Sequence, residues 1–170
     1  MNLDVREMKL DEANMVIDYF HSSTPEHLEL LGVDPTRLPG RGVWAARFKE
    51  LFALPVAERP NFYVIWLSDG RPVGFSSYDK IVVGSHANMH LHVTEPELRQ
   101  SGIGAACVVR SAEIYIGTFE FQRLFCEPNA FNVAPNRTLQ KAGFKYLKTH
   151  MTVPGPLNYH QAVTRWVLER

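Results

Sequence analysis

Asn88, His90 and His92 alternate along the apolar run that ends at Val93, so an extended strand there puts all three side chains on one face. An imidazole with an ordinary pKa of about 6.5 can take a proton from an attacking nucleophile near neutral pH, and two imidazoles side by side also suit a metal ion. A second chemical feature follows within a few residues. Arg99-Gln100-Ser101-Gly102-Ile103-Gly104-Ala105 joins the strand-like run Met89 to Val93 to an apolar-periodic run that reads as a helix from Gly104 to about Ile116. A chain that turns through Gly-x-Gly into a helix leaves backbone N–H groups unpaired at the positive end of the helix dipole, which is a place to bind phosphate. Glycine lets the backbone approach a bulky anion, and Arg99 can add a charge-assisted bond.

Taken together, Arg99-x-x-Gly102-x-Gly104 after a strand, Asn132 downstream, and then Leu139-Gln140-Lys141-Ala142-Gly143-Phe144 resemble the GNAT superfamily of acyl-CoA-dependent N-acetyltransferases. The resemblance covers roughly residues 62 to 144. It implies acetyl-CoA as cosubstrate, with its pyrophosphate on Arg99, Gln100, Ser101, Gly102, Ile103, Gly104 and Ala105. It also implies that the pantetheine arm extends the sheet along Leu91 to Val93, with Asn132 beside it. In that family the strand carrying His90 and His92 runs along the thioester and often supplies the proton acceptor, so both histidines are candidate catalytic bases. Glu95 stands next in line. The acceptor implied is a small-molecule or peptide amine that attacks directly, and the resemblance is compatible with a homodimer. The stretch from His21 to Pro60 is expected to cover the acceptor side.

The chain departs from the family pattern at two places. Many members carry a Tyr seven residues after the Asn to protonate the departing thiolate, and here that position is Leu139. Position 135, often Ala or Ser, is Pro135, which suits the first turn of a helix and supplies no hydroxyl. A GNAT-like module that holds acyl-CoA without transferring it is therefore an alternative. Gly84, His90, His92, Glu97 and Gly104 also satisfy the first cupin signature, which would make the histidines metal ligands inside a β-barrel. The helical period after Gly104 argues against the return strand that such a barrel needs, and no metal site is expected. A dinucleotide fingerprint fails as well, since Cys107 stands where a third small residue belongs.

Eighteen Lys plus Arg balance eighteen Asp plus Glu, so no long-range field draws the chain to nucleic acid or to an anionic membrane. The two cysteines, Cys107 and Cys126, lie in apolar settings and suit a reducing cytoplasm, with no signal peptide or spanning run. At 170 residues a single domain, residues 1–170, is expected. Strands are predicted near residues 3–8, 62–67, 73–78, 89–93, 124–126, 146–153 and 164–168. Helices are predicted after Asp11, over residues 25–31, around Trp44 to Leu51, from Gly104, and over 134–142. The expected class is α/β (α+β): a mixed, mostly antiparallel sheet with helices on both faces.

Overall fold

A computed structural model describes residues 1–170, and the chain forms one sheet of seven strands in the order β1-β2-β3-β4-β5-β7-β6. The strands are β1 (Leu3–Glu7), β2 (Phe62–Ser68), β3 (Arg71–Val82), β4 (His86–Val93), β5 (Arg123–Cys126), β6 (Lys145–Thr152) and β7 (Gln161–Glu169). The helices are α1 (Asn14–Ser22), α2 (Pro25–Leu31), α3 (Arg41–Ala53), α4 (Ile103–Phe119) and α5 (Val133–Lys141), with single turns of 3-10 helix between elements. Every neighbouring strand pair is antiparallel except β4 with β5. The mixed sheet expected from the sequence is present.

Local chemistry accounts for the element ends. Thr24 Oγ1 accepts the His27 N–H at 3.1 Å and Pro25 opens α2, while Gly32 at φ 71° closes it in the left-handed region. Asp69 and Gly70, both at positive φ, make the two-residue turn between β2 and β3. The helix predicted after Asp11 starts later: residues 10–12 form a 3-10 turn, and Ala13 takes the N-cap position of α1. The hairpin of β3 and β4 is also longer than its apolar runs suggested, because Asp79, Lys80 and His86 extend it as polar residues on half-open strand ends.

Two cores follow from strand alternation. On one face Trp66, Tyr78, Met89 and Leu124 pack against Cys107, Tyr115 and Leu139 of α4 and α5. On the other, Ile65, Leu67 and Phe75 pack against Val16, Phe20, Trp44 and Phe48 of α1 and α3. The polar atoms taken into the first core are paired: Trp66 Nε1 donates to Ser111 at 2.8 Å, and Ser76 shares a 2.8 Å bond with Tyr115.

At Gly74 the backbone presses against its neighbours. A Cβ there would lie 2.5 Å from the Trp66 ring and 2.6 Å from the His92 carbonyl oxygen, opposite the bulge between Trp66 and Leu67. Neither a fully buried indole nor a ladder carbonyl can move aside cheaply. Gly74→Ala is expected to destabilise the fold by about 3 kcal/mol, the upper range for overpacking a filled core. Urea unfolding of the variant measures it, and a loss below about 1 kcal/mol would contradict the packing argument.

Candidate active site

Strands β4 and β5 pair only over His86–Arg123, Ala87–Leu124 and Asn88–Phe125, and then they part. Beyond the fork β4 stays with β3, while the chain after β5 follows β7, with Pro128 accepting the Thr164 N–H at 3.2 Å. A cleft opens between them. Thr94 donates to Val73 on β3, so by alternation the even-numbered residues of β4 face β3 and the backbone groups of Met89, Leu91 and Val93 face the cleft. The Val93 carbonyl accepts Arg99 Nε at 3.0 Å, and the cleft-side groups of Leu91 have no strand beside them. An extended amide can add there as a further strand.

The next feature is the start of α4. Gln100 at φ 72° and Gly102 at φ 90° turn the loop through two left-handed residues, a pattern that aims successive N–H groups into one concavity. No protein group accepts the N–H of Gly102, Ile103, Gly104 or Ala105, and a Cβ on Gly102 would meet nothing within 4 Å. The concavity is open and lined with donors. Gly104 serves packing instead: its Cβ would touch Thr138 at 3.3 Å, where α4 crosses α5. The Arg99 side chain ties the loop to the end of β4, so only its outer guanidinium N–H groups remain for an anion.

Asn132 sits across the cleft at the N-cap of α5, yet its side chain makes no capping bond. Its carbonyl takes Asn136 Nδ2 at 2.8 Å, and its residue lines the cleft with 7% of its surface exposed. The amide is thus free to face a bound molecule. Leu139, two helical turns further along α5, is wholly buried in the core against α4, so no hydroxyl occupies that position.

The two histidines have different surroundings. His90 Nε2 lies 3.0 Å from Asp79 Oδ1, and both side chains retain partial exposure, 28% and 13%. With the carboxylate accepting, the proton is held on Nε2 and the lone pair is left on Nδ1. Gly155 of the β6–β7 loop closes over this pair, since a Cβ there would lie 3.3 Å from His90 Cε1. His92 packs instead among Phe75, Phe20 and Tyr19, with ring centroids 4.9 to 5.2 Å away, and its Nδ1 is buried with no partner. Burial in that aromatic cage, with His90, His27 and Arg99 adding positive charge, pushes its pKa down to about 3. His90 thus keeps partial exposure and a carboxylate partner, whereas His92 is enclosed by aromatic rings.

A carboxylate that sequence reasoning did not single out for chemistry stands at the fork. Glu127 accepts Asn88 Nδ2 at 3.0 Å and meets His150 Nε2 and Arg165 Nη1 at 3.2 Å each, with 5% of its side chain exposed. The partners come from β4, β6 and β7, so only the folded sheet reveals the cluster. Burial raises the pKa of both thiols, Cys107 to about 11 and Cys126 further, and neither is a ready nucleophile.

The acceptor side has two covers. One comes from α2 and α3, within the expected stretch His21 to Pro60, together with Val16 and Phe20 of α1, which lie before it. The other is the β6–β7 loop, where Leu157 accepts Asp34 N at 2.8 Å, Asn158 Nδ2 donates to the Gly32 carbonyl at 2.9 Å, and Gln161 Nε2 donates to the same carbonyl at 2.8 Å. The cupin alternative is overturned: the sheet is open, α4 takes the place of a return strand, and no three His, Cys, Asp or Glu side chains converge. No helix is long and apolar enough to cross a membrane.

The family model described as Acetyltransferase (GNAT) family matches residues 25–144. Among solved structures, the chain is similar to a ribosomal-protein-S5-alanine acetyltransferase from Vibrio fischeri, at 15% identity and TM-score 0.76, over 99% of this chain and 93% of that one. It is also similar to a spermidine N-acetyltransferase from Vibrio cholerae in complex with CoA and spermine, at 11% identity and TM-score 0.75, over 98% and 95%. A third is the aminoglycoside acetyltransferase AAC(6')-Ib in complex with coenzyme A, at 16% identity and TM-score 0.72, over 99% and 95%. These likenesses show a shared fold. No curated protein matches the sequence.

The caged histidine carries a stability signature. His92 and His27 both have depressed pKa values in the fold, so the unfolded chain binds more protons below its ordinary histidine pKa of about 6.5. Both contributions are complete above that pH and fall as pH drops, that of His92 down to about pH 3 and by up to about 1.4 kcal/mol per unit. His92→Phe is expected to flatten the fall in unfolding free energy between pH 6 and pH 4. An unchanged slope would mean that His92 titrates normally in the fold.

Proposed function

The chain belongs to the acetyltransferase (GNAT) family, and on that premise we propose that its cleft transfers an acetyl group from acetyl-CoA to an amine by direct attack, with His90 as the base. The observation that carries the reading is the open donor concavity at Gly102 to Ala105, placed at the end of the unpaired edge of β4. The residues fit the cosubstrate by their chemistry. N–H groups at the head of a 17-residue helix suit a pyrophosphate, the bare edge at Leu91 suits the amides of pantetheine, and the Asn132 amide faces the same channel.

Acetyl-CoA supplies an activated acetyl group. The chain's own groups do the rest. The backbone N–H groups facing the cleft polarise the carbonyl as negative charge builds on its oxygen. His90, held by Asp79 with its Nδ1 lone pair free, removes the proton that the amine must lose as its nitrogen bonds to the carbonyl carbon. The carbon–sulfur bond breaks and the thiolate takes its proton from solvent or from the His90 imidazolium just formed, since position 139 is a buried leucine. No acyl-enzyme is needed, because both thiols are buried with raised pKa.

Two measurements test the reading. Gly102→Ala and Gly102→Glu share the cost of a side chain in the left-handed region, about 1–2 kcal/mol of stability. Only the glutamate adds a like charge to the pyrophosphate space, so calorimetry should show acetyl-CoA affinity falling far more in Gly102→Glu than in Gly102→Ala. Equal affinity in two folded variants would remove coenzyme A from the loop.

His90→Gln should lower turnover by roughly 10²-fold or more, leave acetyl-CoA affinity nearly unchanged and abolish the acid limb of the pH profile. A variant that keeps the acid limb would move the base elsewhere. His92→Gln is expected to keep that limb.

A further inference from the structure

The same cleft points to the acceptor through its charge inventory. No lysine or arginine lines it. Two carboxylates do, and they are not equivalent. Glu127 is already engaged by Arg165 and His150, whereas Asp79 meets only His90, a group without permanent charge. One negative charge is therefore left for a cationic acceptor, and nothing in the cleft compensates an anionic one.

Away from Asp79 the wall turns apolar. Phe20, Leu31, Val33, Trp44, Phe75 and Leu157 line that end, with the neutral His92 ring stacked on Phe75 at 4.9 Å. A second ammonium placed there would lose its water with no further carboxylate in the lining to meet it. The space is also small: the whole cleft holds about 140 Å³, close to the roughly 150 Å³ of an apolar cavity that takes one benzene. The lid formed by the β6–β7 loop is fastened at Gly32 and Asp34, so this end is walled by bonded chain.

Resting on the acetyltransferase reading above, we propose that the acceptor is a primary monoamine carrying one compact apolar body, such as a single ring on a short alkyl chain, with its nitrogen at Asp79 and His90 and its body in the aromatic end. The ammonium gives one proton to solvent, the amine nitrogen bonds to the acetyl carbon as the carbon–sulfur bond breaks, and the second N–H proton passes through His90 to the thiolate, so that CoA leaves as the thiol. Polyamines, aminosugars and free amino acids are disfavoured by the same inventory. A free amino acid would bring its carboxylate beside Asp79, where like charges repel.

The test is an acetylation panel with acetyl-CoA and five acceptors: 2-phenylethylamine, phenylalanine, spermidine, a 2-deoxystreptamine aminoglycoside and an Ala-initiated hexapeptide. The expected order puts 2-phenylethylamine first, with kcat/KM at least roughly 10-fold above each of the others, on the scale by which pockets reject mismatched groups. Leu31→Asp should reverse it, raising KM for 2-phenylethylamine and lowering KM for spermidine with acetyl-CoA affinity unchanged. A parent that prefers any other member of the panel overturns the proposal and leaves the acetyltransferase reading standing. If nothing is acetylated, calorimetry of 2-phenylethylamine against the CoA complex separates the cases. Binding that Leu31→Asp abolishes keeps the site and sinks the transfer reading, whereas no binding overturns the acceptor proposal.

Discussion

The parting of β4 from β5 is the constraint on which the rest of the site depends. Three residue pairs hold the strands parallel, and the Asn88–Glu127 bond marks the fork. Beyond it each strand has a partner on one side only, β3 for β4 and β7 for β5, so the divergence leaves unpaired backbone on β4. Unpaired strand edges inside a fold are costly unless something covers them. Here the exposed edge runs into a helix whose first N–H groups are also unpaired, and the two sets of orphan donors and acceptors lie end to end. A ligand that is an extended amide chain at one end and a pyrophosphate at the other answers both deficits.

The two faces of the sheet then divide the work. The α4–α5 face is a filled core whose buried polar atoms pair with each other, so α4 is a rigid mount for the donor loop. Gly104 lets α4 approach Thr138 closely, which fixes the mount against α5 and Asn132. The α1–α3 face is aromatic and less completely filled, and it borders the cleft that the acceptor must enter. The filled core sits under the donor loop, and the cleft opens over the aromatic face.

How much of this was legible in the sequence follows from the range of each interaction. Periodicity located all seven strands and five helices because strand alternation and helix stripes are local, and it missed the full length of the β3–β4 hairpin because polar ends such as Asp79 and Lys80 break the apolar run. The donor loop was legible for the same reason, since a turn and a helix start are consecutive residues. The equivalence of His90 and His92 was not resolvable. They share a face, as alternation requires, but Asp79 lies eleven residues from one and the aromatic cage of the other comes from α1 and β3. The Glu127 cluster and the β6–β7 cover were invisible for the same physical reason: their members meet only across strands far apart in the chain.

The division between the two histidines also explains why one can serve chemistry without the other interfering. In the proposed reaction, a second protonatable imidazole beside His90 would, once charged, repel an ammonium placed at Asp79. Burial among Phe20, Tyr19 and Phe75 pushes the His92 pKa down to about 3, with His90, His27 and Arg99 adding smaller contributions. Arg99 itself is tied to the Val93 carbonyl at the end of the same strand. Burial, more than any neighbouring charge, holds the inner histidine neutral, and of the two carboxylates lining the cleft only Asp79 has no arginine beside it.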